Sequence, residues 1–155
     1  MKLSFSVTGA RALRVALVTT ALLPARSPAQ TLEEALDSPA GWTWMTTATA
    51  ADGSTPVPGG VWTGQTAVTH DGVDAARSGT LPFFGSAKLR TESITGPGTV
   101  TFWRRHGRAY EQNPFAIVAN GVHVGPFLPG GTWQPVAIDY PSGQGTLEFW
   151  WYNTD

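Results

Sequence analysis

The stretch FAIVANGVHV (115–124) decides the fold. Two short apolar runs flank Asn120-Gly121, and Asn-Gly is the dipeptide that most readily takes positive φ at both centres of a tight hairpin turn. The pattern predicts a strand over 115–121 ending in that turn, and a partner over 122–127. Upstream, TVTFWRR (99–105) reads as a strong strand and HGRAYEQNP (106–114) as the long loop that follows it. Downstream, TWQPVAIDY (132–140) reads as a strand whose Pro135 argues for an edge or a bulge, and TLEFWWY (146–152) as the last strand. TGPGT (95–99), LPGG (128–131) and PSGQG (141–145) read as turns.

The same reading extends to the N-terminal half. GWTWMTT (41–47) alternates Trp with Thr, a half-buried strand pattern, and ATAADGSTPVPGG (48–60) is a loop. VWTGQTAVT (61–69) is a strand in which Gly64 marks a bulge, HDGVD (70–74) is a turn, and AARSG (75–79) is a short strand. TLPFFGS (80–86) is a loop, and AKLRTESI (87–94) is a strand with imperfect alternation. TLEEALD (31–37) is the one helical stretch, with Thr31 as N-cap and Glu33 and Glu34 suited to a helix start. Eight or nine short strands between turn signals predict an all-β fold: an antiparallel two-sheet β-sandwich or jelly roll.

Composition narrows the function classes. Of 155 residues, 14% are charged, against the roughly 25% of an average soluble domain, and the 18 Gly and 12 Pro exclude a helical bundle. The first 29 residues read as an address. Lys2, Arg11 and Arg14 form a basic region, Val15 to Ala25 an apolar run, and Ser27 and Ala29 the small residues before a cleavage site at Ala29/Gln30. The run is shorter than the roughly 20 residues of a transmembrane helix. The expected organisation is a signal peptide over 1–29, a short helical or irregular lead-in over 30–40 and the β-sandwich over 41–155, secreted to the extracellular space or periplasm. The alternative for 1–29 is an amphipathic first helix.

The leader holds four of the ten Lys and Arg and none of the eleven acids, so residues 30–155 carry a net charge of −5. That weighs against nucleic acid as a partner. With no cysteine there is no disulfide, so burial and hydrogen bonding must hold the domain. All seven Trp lie beyond residue 29, and most are expected in the core.

Four phrases fall in a recognisable order: WTGQTAVTHDGVDAARSG (62–79), TGPGTVTFWRR (95–105), FAIVANG (115–121) and TWQPVAIDYPSGQGTLEFWWYNTD (132–155). As a set they resemble a β-sandwich module of large secreted and surface proteins of environmental bacteria. That module looks like a jelly-roll relative of adhesion and lectin-like domains. The resemblance spans about residues 60–155 and implies a non-catalytic interaction or adhesion role. Three departures stand out. The second Trp of the family's F-W-W strand is Arg104 here, followed by Arg105; the loop 106–114 diverges; and the family continues past the equivalent of Asp155 with a further strand. The last departure raises the expectation of a sandwich lacking its last strand, read either as a fragment or as an open C-terminal edge for strand addition or a homodimer.

Chemistry-bearing residues are sparse. Asp71 and Asp74 in T-H-D-G-V-D could offer two carboxylates to Ca2+, against the simpler reading of an Asx-turn. His70, His106 and His123 are too scattered to suggest zinc. There is no G-x-S-x-G elbow, and Ser86 and Ser142 are explained by turns. A glycosidase pair could draw on Glu92, Glu111, Asp139 and Glu148, which are candidates only because any strand protein carries some acids; Glu92 and Glu148 are expected to face solvent from a strand. The basic run W-R-R-H-G-R-A-Y places Arg104, Arg105, His106 and Arg108 where guanidinium groups could grip a sulfated or acidic glycan, against a solvated strand end. Phe83, Phe84 and Tyr110 are the best exposed rings for stacking on sugars, with Trp62 and Trp151 behind them. Strand alternation allows only one of Trp150 and Trp151 to face the core.

The expected function is a secreted, non-catalytic interaction module, not an enzyme, with a glycan or a surface protein as partner. The alternatives are a carbohydrate-binding module with or without Ca2+ support, and a small jelly-roll hydrolase. No cofactor other than Ca2+ is expected. Ligand-binding candidates are Phe83, Phe84, Arg104, Arg105 and Tyr110; metal candidates are Asp71 and Asp74.

Overall fold

The computed structural model describes residues 2–3, 30–105, 115–125 and 131–154. They form one short α-helix, a 3-10 turn over Pro58–Gly60 and eight antiparallel strands. The strands are β1 (Lys2–Leu3), β2 (Met45–Thr49), β3 (Trp62–Gln65), β4 (Ala75–Ser78), β5 (Ser86–Arg104), β6 (Phe115–Ala119), β7 (Val122–Val124) and β8 (Gln134–Tyr152). The main sheet has the order β1-β5-β8-β6-β7, with β2 also on the outer edge of β5. The strands β3 and β4 form a separate two-stranded ribbon.

The helix α1 (Leu32–Ala35) forms where its capping residues allow it. Thr31 Oγ1 accepts from the Glu34 N–H at 3.2 Å, and the Glu34 carboxylate accepts from the Thr31 N–H at 2.9 Å. That reciprocal pair satisfies two backbone donors that a helix start otherwise leaves open. The helix ends earlier than 37 because Asp37 takes a positive φ of 47°. Ala35 and Leu36 are fully buried and anchor α1.

The hairpin forms as the Asn-Gly signal requires. Asn120 and Gly121 have φ of 51° and 77°, the left-handed region that a type I′ turn needs. Ile117 faces Val124, and Ala119 faces Val122.

Two expected turns are absent. TGPGT and PSGQG both lie inside 19-residue strands, β5 and β8. The reason is that the two Gly-rich segments are each other's partners: Ile94 faces Gly145, Thr95 faces Gln144, and Gly96 faces Gly143. Segments that look like separate reversals together make one irregular stretch in a long two-stranded ribbon. The register slips twice there, between Thr91 and Ile94 and between Gly96 and Gly98. The first slip places an extra residue on β5 and the second an extra residue on β8. Each therefore flips the phase of its own strand. In β5 the buried positions are Ala87, Leu89 and Thr91 before the slip, and Ile94, Val100, Phe102 and Arg104 after it. In β8 they pass from Ile138 and Tyr140 to Gly145, Leu147 and Phe149. This explains the imperfect alternation of 87–94, and it turns Arg104 inward.

Two further expectations shift. The strand expected over 41–47 lies at 45–49. Trp42 and Trp44 precede it, with Trp44 buried and its Nε1 donating to Ser38 Oγ at 2.7 Å. Their spacing imitates a strand, but both rings close the end of the core. β3 stops at Gln65 and not at 69, because Gln65 Oε1 accepts from the N–H groups of Ala67 and Val68 at 2.7 and 2.8 Å and folds the chain back. Gly64 is no bulge; it pairs regularly with Ala76. It is glycine because α1 crosses it, and a Cβ there would meet the carbonyl oxygens of Gln30 and Thr31 at 2.6 and 2.7 Å.

The core lies on one face of the β5–β8–β6 sheet. Leu89, Phe102, Ile117, Leu147 and Phe149 are all buried, and Phe149 contacts Phe102 edge to face at 5.2 Å. Full burial of each such side chain contributes about 1.5–3 kcal/mol. The β3–β4 ribbon adds Trp62 and Ala76 to the same cluster. Trp151 also joins it from β8, whereas Trp150 takes the opposite face, where Lys88 Nζ sits 4.1 Å above its ring and Glu148 accepts from its Nε1 at 2.7 Å. No helix among the described residues is long and apolar enough to cross a membrane.

Candidate functional site

A cleft of about 480 Å3 opens where the β3–β4 ribbon meets the ends of β5, β6 and β8. Each wall comes from a different part of the chain. The ribbon supplies Trp62, Gln65 and Arg77; the end of β5 supplies Arg104 and Arg105; Phe115 begins β6; Trp133 precedes β8 and Trp151 lies near its end. Asn153 closes one side, its Nδ2 donating to the Leu81 carbonyl at 2.9 Å.

The lining is cationic and aromatic. Three Arg and three Trp contribute, and among the described lining residues there is no Asp, Glu or His. Arg104 is 3% exposed. Its Nη2 donates to Gln134 Oε1, its register partner across β5 and β8, and its guanidinium lies 6.0 Å from the Phe115 ring. Burial lowers the Arg104 guanidinium to about 10, which leaves it charged at neutral pH. Arg77 and Arg105 are exposed, while Trp133 and Trp151 are half-buried, so each presents part of its side chain to solvent. Trp62 is 5% exposed, and its Nε1 has no hydrogen-bond acceptor among the described residues. Beside the cleft, the His70 ring stacks on Trp103 at 4.0 Å and meets the edge of Trp133 at 5.7 Å. That contact helps hold the Trp133 indole in place.

Of the residues singled out from sequence, Arg104, Arg105, Trp62 and Trp151 come together here. Phe83 and Phe84 do not line this cleft. Their rings touch at a tilt of 36°, with centroids 3.9 Å apart, in the 80–86 loop, and are 55% and 58% exposed. Phe84 has a positive φ of 57°, held by its N–H donating to the Asn153 carbonyl at 2.7 Å. Tyr110, with His106, Arg108 and Glu111, lies outside the described residues.

Asp71 and Asp74 sit in different surroundings. Asp71 is exposed and accepts from the Val73 N–H at 3.0 Å, an Asx-turn beside Gly72. Asp74 is buried, accepts from Gln30 Nε2, and lines a shallow groove with Glu33, Glu34 and Asp37 below α1. No group of three or more His, Cys, Asp or Glu among the described residues could hold a metal ion. The remaining acids are dispersed. Glu92 is exposed and pairs with Arg90, Glu148 lies on the far face with Trp150, and Asp139 accepts from Thr99 Oγ1 at 2.7 Å.

Sequence reasoning ranked Trp62 and Trp151 behind the Phe pair and did not single out Arg77 or Trp133. Arg77 and Trp133 carry no local signal; only the pairing of β3 with β4 and the lead into β8 place them beside Arg104. In comparisons with protein-family models, curated proteins and solved structures, nothing matches this chain.

Proposed function

We propose that this chain is a secreted, non-catalytic interaction module that recognises carbohydrate through the cleft between the β3–β4 ribbon and the main sheet. The observation that carries this reading is the lining itself: half-buried indoles beside exposed guanidinium groups, with no carboxylate among the described lining residues. Indole faces stack on the C–H face of a pyranose, and guanidinium and amide groups supply donors for its oxygens. A retaining or inverting glycosidase needs two carboxyl groups about 5–9.5 Å apart across its cleft. The described lining residues hold no such pair, and their indoles and guanidinium groups support binding. The volume suits one or two sugar units.

The same reading treats the main sheet and the β3–β4 ribbon as the two layers of a jelly-roll-like sandwich, and places the protein outside the cytoplasm after cleavage near Ala29, which removes β1 with the leader and leaves β2, β5, β8, β6 and β7 as the main sheet. The basic leader, the apolar run and the small residues at the cleavage site support that placement. The likeness to lectin-like surface modules points the same way.

The test is a glycan array probed with the purified chain, followed by titration calorimetry on the best ligand. The expected result is binding that drops about tenfold or more in both Trp133→Ala and Trp151→Ala, with the oligosaccharide recovered uncleaved. Binding unaffected by both changes would refute the cleft. Cleavage of the ligand would refute the non-catalytic assignment.

A second reading rests on Phe83 and Phe84. Two adjoining, exposed rings, the second on a left-handed residue, form an apolar patch suited to a surface protein. Loss of protein-mediated adhesion in Phe83→Ser with glycan binding intact would favour it.

A further inference from the structure

Building on the carbohydrate reading, we infer that the ligand is an acidic sugar: a pyranose bearing an anionic group, carboxylate or sulfate, seated with that group between Arg77 and Arg105. The inference rests on three features of the cleft.

First, the cations approach from two separate elements. Arg77 comes from the ribbon and Arg105 directly follows β5, so two separate parts of the chain bring a guanidinium group to the lining of one cleft. Both are exposed. A pair of guanidinium forks is suited to a planar or tetrahedral oxyanion and adds nothing comparable for a neutral hydroxyl.

Second, a third Arg lines the same cleft. Arg104 occupies an inward position of β5 created by the register slip at Thr91. A buried guanidinium is a costly way to fill an apolar site. Bonded to Gln134, it adds a nearly buried guanidinium to the lining of the same cleft, where a bound anion lies within its field.

Third, the Trp133 and Trp151 rings in the same lining supply a flat apolar surface. An inorganic anion has no use for that surface, whereas a sugar ring carrying an anionic substituent uses both halves of the site. Single-stranded nucleic acid also combines charge with stacking. It needs a positive groove that follows several phosphates, however, and residues 30–155 carry −5 overall.

The experiment is titration calorimetry of the purified chain against four probes at low salt. They are a tetragalacturonate, the same oligosaccharide with its carboxylates reduced to alcohols, a sulfated galactan tetrasaccharide, and a deoxythymidine decamer. The variants Arg77→Ala, Arg105→Ala and the opposite-face control Lys88→Ala are measured alongside, with circular-dichroism melts to verify folding. The expected result is binding of one acidic saccharide at least about tenfold tighter than the reduced one, weakened about tenfold by either Arg change and unchanged by Lys88→Ala. Whether the carboxylated or the sulfated probe is preferred identifies the source of the anion. Equal binding of the reduced saccharide would overturn this inference and leave the carbohydrate reading standing. Binding of the decamer alone, or of no saccharide, would overturn both.

Discussion

Gln134 Oε1 accepts a hydrogen bond from the buried Arg104 guanidinium, and the two residues are direct register partners across β5 and β8. The pair links the longest ribbon of the fold to the floor of the cleft. Removing the acceptor withdraws a hydrogen bond from a charged group that has little access to water. Gln134→Ala is expected to cost about 1.5–3 kcal/mol of stability, and Gln134→Glu, which keeps the acceptor, much less. Urea denaturation followed by Trp fluorescence measures both; equal costs for the two variants would show that the hydrogen bond is not what matters.

Phe149 is the centre of the core. Its ring lies 5.2 Å from Phe102, 6.2 Å from Trp44 and 6.3 Å from Phe115. Phe149→Ala is expected to cost about 3–5 kcal/mol through lost burial and the cavity it leaves. Phe83→Ala, at an exposed ring, is expected to stay within about 0.5 kcal/mol. Denaturation midpoints of the two variants check the contrast.

Asp52 provides the acid dependence. The Thr55 hydroxyl and the N–H groups of Thr55 and Ser54 donate to its carboxylate and hold it at about 2. In the unfolded chain an aspartate titrates near 3.9. A folded value below the unfolded one means the stabilisation is complete above about pH 4 and disappears as the pH falls toward 2. Melting temperatures of the native chain and of Asp52→Asn are therefore expected to differ at pH 6 and to converge near pH 2. A gap that persists at pH 2 would assign the effect to something other than the carboxylate charge.

Gly64 leaves room for α1. Gly64→Ala would drive a Cβ into the Gln30 and Thr31 carbonyls, so the helix must lift from the ribbon. The expected cost is about 1–3 kcal/mol, as for other overpacked sites. Faster amide exchange confined to residues near α1 and β3 would verify the mechanism. Unchanged exchange there would contradict it.

The legible parts of this fold are those fixed by neighbours in sequence. Asn120-Gly121 dictates its turn through φ alone, and Thr31 with Glu34 builds a cap within one helical turn. The fused strands β5 and β8 were not legible. Gly96, Pro97 and Gly98 carry every mark of a reversal, and only their pairing with the equally Gly-rich segment around Gly143 keeps the strand going. The phase flip that buries Arg104 follows from that pairing and leaves no local trace beyond the broken alternation near Ile94. The cleft shows the same division. Arg104 and Arg105 stand out as a charge pair in one strand, whereas Arg77 and Trp133 join them only through contacts distant in sequence. The Phe83–Phe84 pair is exposed, as its Pro/Gly-rich loop leads one to expect, but it lies outside the cleft.

The most direct test of the account is a 15N–1H correlation spectrum of the seven Trp indoles during titration with the tightest-binding acidic oligosaccharide. The cleft predicts that the Trp133 and Trp151 signals move most, with Trp62 responding beneath them, while Trp42 and Trp150 stay in place. Shifts centred on Trp150, or on the backbone of Phe83 and Phe84 with the cleft indoles silent, would contradict it.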